Sequence, residues 1–146
     1  MATIKRFEDL EIWQHGRELS KMIFTFLSKS EFSKDFKLKD QINGSSGSVM
    51  DNIAEGFGRG SRKEFIQFLG IAKGSLDEVK SQLYRCLDRN YISQSEFEIV
   101  YKLTEDIGKR IHGFIKYLNT SETSGLKFKN RVKEPLTNYG SFHFDE

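Results

Sequence analysis

Proline is almost absent from this chain: Pro135 is the only one, so nothing before it has to interrupt a helix. Cysteine is as scarce, and the lone Cys86 rules out an internal disulfide framework. The three histidines lie far apart with no CxxC or HExxH pattern, so no metal site is expected. There is no Gly-rich phosphate loop ending in lysine and no nucleophile elbow, so neither a cofactor nor an enzymatic activity is expected. Apolar runs are short. None approaches the ~20 residues of a membrane span, and Met1–Leu10 is charged too early for a signal peptide. The expectation is a soluble, cytoplasmic protein with no membrane partner. An excess of one charge is missing too: 23 Lys and Arg against 21 Asp and Glu leave a net +2, which does not demand a nucleic-acid partner.

What is present suits one domain. A chain of 146 residues, 37% hydrophobic and carrying thirteen Phe, can bury a core without metal or disulfide support. Four amphipathic segments follow one another. From about Phe7 to Ser28, Leu10, Trp13, Leu19, Ile23, Phe26 and Leu27 share a helical face. A second helix is expected from near Asp35 to Gly58 or Arg59, with Leu38, Ile42, Val49, Ile53 and Phe57 inward. Its middle, Asn43-Gly44-Ser45-Ser46-Gly47-Ser48, has poor helix propensity, and helix, kink and loop all stay open there. A third helix opens on the capping-box pattern Ser61-Arg62-Lys63-Glu64 and carries Phe65, Leu69, Ala72, Leu76, Val79, Leu83 and Cys86 at steps of four and three. A fourth opens on Ser93-Gln94-Ser95-Glu96 and carries Phe97, Val100, Thr104, Ile107, Ile111, Phe114 and Leu118. The short link between the last two makes them antiparallel neighbours. The fold class read from this pattern is all-α, an antiparallel up-down-up-down four-helix bundle over residues 1–118. Residues 119–146 lose the periodicity and read as a flexible basic and aromatic tail.

Chemistry is thinner. Asn52, Glu55 and Arg59 form a polar stripe on the second helix, with Gly56 beside it. Its plain reading is a network that fixes helix register, Gly56 allowing close approach to Gly70 or to Gly74-Ser75. Its sharper reading is a ligand or partner site. His15 and His112 read as surface or rim residues, and Cys86 as a small buried hydrophobe. Phosphate contact would fall to Arg59, Arg62 and Lys63 at one bundle end and to Lys127, Lys129, Arg131 and Lys133 in the tail.

Three stretches also carry a resemblance. Phe7-Glu8-Asp9-Leu10-Glu11-Ile12-Trp13-Gln14, Asn52 through Arg59, and Ile71-Ala72-Lys73-Gly74-Ser75-Leu76 closely resemble the four helix bundle protein family. That family includes proteins encoded in intervening sequences of bacterial large-subunit ribosomal RNA genes, and its relatives include accessory variability determinants of diversity-generating retroelements. The resemblance spans about residues 7–118. It implies a bundle that assembles as a ring-like homopentamer, with no established catalysis. Asn52, Glu55, Gly56, Arg59, Gly74 and Ser75 match the family pattern, and their implied role is bundle or subunit packing. The leading expectation is a non-enzymatic homo-oligomeric scaffold or adaptor. The alternative, which the retroelement relatives imply, is a nucleic-acid-binding accessory protein acting on structured RNA or with a reverse transcriptase.

Overall fold

The computed structural model describes residues 3–120 and 132–135. Within them run four long helices: α1 (Glu11–Leu27), α2 (Phe36–Gly58), α3 (Arg62–Asp88) and α4 (Gln94–Leu118). Two single 3-10 turns, Phe7–Asp9 and Phe32–Lys34, lead into α1 and α2. Local chemistry fixes three of the four starts. The Asp35 carboxylate accepts from the Leu38 N–H, and the Ser61 hydroxyl accepts from the Glu64 N–H. At Ser93 both halves of the capping box close. Helix α3 ends in a Schellman turn: Asn90 takes a left-handed φ of 59°, the Tyr91 N–H reaches the Cys86 carbonyl at 2.9 Å, and the Asn90 N–H reaches Leu87 at 3.0 Å.

The ambiguous middle of α2 is helical. Its hydroxyls are satisfied by the helix itself, Ser45 Oγ donating to the Gln41 carbonyl and Ser46 Oγ to that of Asn43. Leu38, Ile42, Val49 and Ile53 are buried on either side of it, so tertiary packing overrides weak propensity.

Helix α1 packs on α2, α2 on α3, α3 on α4, and α4 back on α1. Cross-helix partners give the directions. Going up α2, Asp35, Gln41, Ser45 and Ser48 meet Arg89, Arg85, Glu78 and Ser75, which descend α3. Lys29 at the end of α1 pairs with Glu96 at the start of α4, and Glu11 with Arg110 near its end. Both orders are those of antiparallel neighbours. The expected seams of α3 and α4 are buried throughout, whereas Trp13 and Phe57 lie only half-buried at the core edge.

Two residues of the expected tail, Val132 and Glu134, touch the bundle. Val132 is buried, its carbonyl accepts from the Ile4 N–H at 2.9 Å, and Glu134 reaches the start of α1. The alternation of apolar and charged residues there offered no sign of which surface Val132 would find.

Candidate functional site

Of the residues singled out on α2 and α3, Asn52, Gly56 and Ser75 lie along the α2–α3 seam. Asn52 Nδ2 donates to the carbonyl and to the hydroxyl of Ser48, both at 2.8 Å, and Ser75 Oγ donates to Ser48 Oγ at 3.0 Å. This half-buried chain ties the two helices at mid-length. One turn further on, the absent Gly56 side chain makes room for the next helix. A Cβ there would stand 2.5 Å from Phe68 Cβ and 3.2 Å from Phe65 Cδ1. Gly56 therefore does provide close approach, but against Phe65 and Phe68, not against Gly70 or Gly74. The register explains the difference: with Ser48 opposite Ser75, the end of an antiparallel α2 must lie over the start of α3. Glu55 and Arg59 point outward and pair at 2.9 Å, with the Arg59 guanidinium 5.3 Å over the Phe68 ring. Gly74 is exposed, and among the described residues nothing lies within 4 Å of the Cβ it lacks.

Toward the other end the seam opens into a polar groove. Gln41, Ser45 and Ser48 of α2 face Ser75, Glu78, Gln82 and Arg85 of α3. Arg85 Nη2 donates to Gln41 Oε1 at 2.9 Å, and Ser45 Oγ, whose one proton goes to the Gln41 carbonyl, lies 3.4 Å from Glu78 Oε2. Beyond it, Asp35 accepts from Tyr91 Oη and from Arg89, both at 2.8 Å. The Tyr91 hydrogen bond is the main reason the Asp35 carboxyl titrates below its ordinary range.

A second charged cluster, between α1 and α4, was not read from the sequence. Arg110 Nε donates to Asp106 Oδ2 at 2.9 Å and Arg110 Nη1 to Glu11 Oε2 at 3.2 Å. His15 Nδ1 lies 3.6 Å from the same Asp106 oxygen. His15 is thus buried, not a rim residue, and burial first, then the Arg110 charge, lower its pKa. The spacing of Asp106 and Arg110, i and i+4, was visible on α4. Their burial was not, since only α1 packed across them decides it.

Glu134 completes this end. Its carboxylate accepts from the Ile12 N–H at 3.0 Å and from the Glu11 N–H, capping the one long helix with no cap of its own. Burial outweighs those hydrogen bonds and pushes the Glu134 carboxyl up to about 7. A carboxyl whose pKa is raised on docking binds its proton more tightly when docked. Docking of Val132–Pro135 is therefore strongest below about pH 4.5, weakens as pH rises, and levels off above about 7. Protection factors at Ile4, Glu11 and Ile12, amide exchange corrected for its intrinsic base catalysis, should fall across that window. Glu134→Gln should remove the pH dependence, and an unchanged profile would refute the assignment.

Among the described basic residues expected to meet phosphate, two already have partners. Arg59 is paired with Glu55, and Arg62 Nη1 donates to the Leu118 carbonyl at the end of α4 at 3.1 Å. Lys63 is exposed, Lys133 is half-buried, and Lys127, Lys129 and Arg131 lie outside the described residues. A different basic group gathers where α3 meets α4: Lys73, Lys80, Lys109 and His112 line a groove that also holds Asp77 and Glu105. Cys86 is buried, which pushes its thiol up to about 12 and leaves it chemically inert at neutral pH. Among the described residues no group of three or more His, Cys, Asp or Glu could hold a metal ion, and no helix is long and apolar enough to cross a membrane.

Residues 8–113 match the family described as 23S rRNA-intervening sequence protein. A solved structure, that of a protein of unknown function from the S23 ribosomal protein family of Bacteroides thetaiotaomicron, is similar with a TM-score of 0.67 and 27% identity. The match covers 72% of this chain and 98% of that one. No curated protein matches.

Proposed function

Because the chain belongs to the 23S rRNA-intervening sequence protein family, we propose that it serves as a non-enzymatic scaffold that assembles from copies of itself, five to a ring. The observation that carries this reading is a pair of helical glycines for which the described residues show no use. Gly70 and Gly74 are exposed on α3, and among the described residues nothing lies within 4 Å of the Cβ that either lacks. A glycine inside a helix costs roughly 0.5–1 kcal/mol relative to alanine. Where none of the described residues needs the room, a backbone-close contact from a second copy is what repays that cost. Ile71, 47% exposed between them, supplies apolar surface to the same face. Light scattering after size exclusion should give a mass several times 17.0 kDa. Gly74→Leu should lower that mass while leaving the helical signal intact. A monomer at every concentration would defeat the proposal.

The α3–α4 groove favours a second reading, contact with structured RNA. Lys73, Lys80 and Lys109 converge there, and each lysine–phosphate contact contributes a salt-dependent share of affinity. Replacing all three with glutamine should weaken RNA binding and flatten its salt dependence by roughly two to three ion equivalents. An unchanged slope would exclude the groove from RNA contact.

A further inference from the structure

The outer wall of α1 carries an aromatic side chain that the core does not use. Phe24 is 68% exposed, and Arg17 and Lys21 precede it on the same stripe at helical steps of four and three, both turned to solvent. Lys21 pairs only within its own helix, with Glu18 at 3.3 Å, and the Arg17 guanidinium lies 5.9 Å over the Trp13 ring. Two cations and a phenylalanine in one row suit an acidic wall that has room for large side chains.

Such a wall stands on the same molecule. The outer face of α3 carries Gly74, Glu78 and Ser81 at the same steps of four and three, with Asp77 beside Glu78, and all four are exposed. Asp77 and Glu78 form no ion pair among the described residues. Helix α1 packs on α2 and α4, and so does α3. The two therefore occupy opposite corners of the bundle, and their outer faces look in opposite directions. One copy cannot bring these faces together, but two copies can.

The register decides how they meet. A Cβ on Gly16 would stand 3.3 Å from Met50 Cβ, and Ser48 meets Ser75 at 3.0 Å. Because α2 runs antiparallel to both neighbours, Glu18 is level with Ser48 and hence with Ser75. Arg17 is then level with Gly74, Lys21 with Glu78, and Phe24 with Ser81. The route through α4 agrees within one residue, since Glu11 pairs with Arg110 and Phe114 packs on Phe65 at 5.3 Å. Two copies standing parallel thus set Arg17 and Phe24 opposite small residues and Lys21 opposite Glu78. Asp77, one turn above Gly74, is the acid nearest Arg17. No slide along the bundle axis is needed. A closed ring demands this, because its interface joins two different faces, and an offset along the axis would wind the copies into an open filament.

We propose that the outer face of α1, through Arg17, Lys21 and Phe24, docks on the outer face of α3 in the next copy, over Gly74, Glu78 and Ser81. This rests on the self-assembly proposed above and supplies the second face that the surface around Gly70 and Gly74 has to meet.

Light scattering of the full-length protein across a dilution series tests it. Arg17→Glu with Lys21→Glu should raise the concentration of half-assembly at least about tenfold, and Asp77→Lys with Glu78→Lys should do the same. All four replacements in one chain restore opposite charges across the contact, so assembly should return. That recovery separates a lost contact from a lost fold. Phe24→Cys and Ser81→Cys in one chain should let a short bis-maleimide link copies into a ladder, while either replacement alone should give no linked pair; Cys86 is buried and stays out of the reaction. A parent that is monomeric at every concentration overturns the assembly itself and this pairing with it. A parent that assembles, with reversals that leave its mass unchanged or a fourfold variant that does not recover, overturns the pairing alone. A missing ladder, or linkage in either single cysteine variant, overturns it as well, the latter because like faces would then be meeting.

Discussion

Replacing Asp106 with alanine is expected to lower the unfolding free energy by about 3–5 kcal/mol, the largest effect of any single polar substitution in this bundle. Asp106 is 9% exposed and Arg110 8%, so both charges have been withdrawn from water between α1 and α4. Their interaction through Arg110 Nε at 2.9 Å offsets much of that withdrawal. Removing the carboxylate takes away the buried acceptor of the guanidinium, and Glu11, whose side chain is 61% exposed and well screened, does not replace it. The double replacement of Asp106 by alanine and Arg110 by methionine removes both charges, and most of the lost stability should return. Denaturant unfolding followed by far-ultraviolet circular dichroism gives the three values. A loss below about 1 kcal/mol in Asp106→Ala would place the pair in solvent-accessible surroundings and contradict the burial described here.

Gly56→Ala should also destabilise, by about 1–3 kcal/mol, or several degrees in melting temperature for a domain of this size. The added Cβ would stand 2.5 Å from Phe68 Cβ, an atom so close to the backbone that α3 itself must shift to relieve the clash. The contrast within one helix makes the test sharp. Gly44→Ala and Gly47→Ala place a methyl group where none of the described residues lies within 4 Å, so each should stabilise by roughly 0.5–1 kcal/mol through helix propensity alone. A thermal melt of the three variants reads opposite signs from the same chemical change. Stabilisation by Gly56→Ala would mean that α2 and α3 do not approach as closely as described.

These substitutions mark where sequence reading stops. Glycines 44, 47, 56, 70 and 74 look alike in the primary structure, all on helices and all costly to helix propensity. Only the register of α2 against α3 separates Gly56, pressed on Phe68, from the others, whose missing side chains face open space. The same register shifted Gly56's partner from the glycines of α3 to its phenylalanines. Cys86 was legible as a buried hydrophobe because its place on a regular apolar stripe leaves a thiol no other environment. His15 was not, because its burial depends on Asp106 and Arg110 arriving from a helix some ninety positions away. Gln82 gave no signal at all: an amide beside Leu83 on an amphipathic helix reads as surface until α2 covers it.

The sequence by itself determined four helices, their apolar faces and most of their ends. Those features rest on local rules: a repeat of 3.6 residues, a hydroxyl or carboxylate at an N-cap, and a residue that tolerates positive φ after a C-cap. The tertiary structure alone decided which polar groups are withdrawn from water. It brought Glu134 to the start of α1, buried Arg110 with Asp106, and opened a groove over Gln82. Burial depends on atoms brought from distant parts of the chain, and no short-range pattern carries that information.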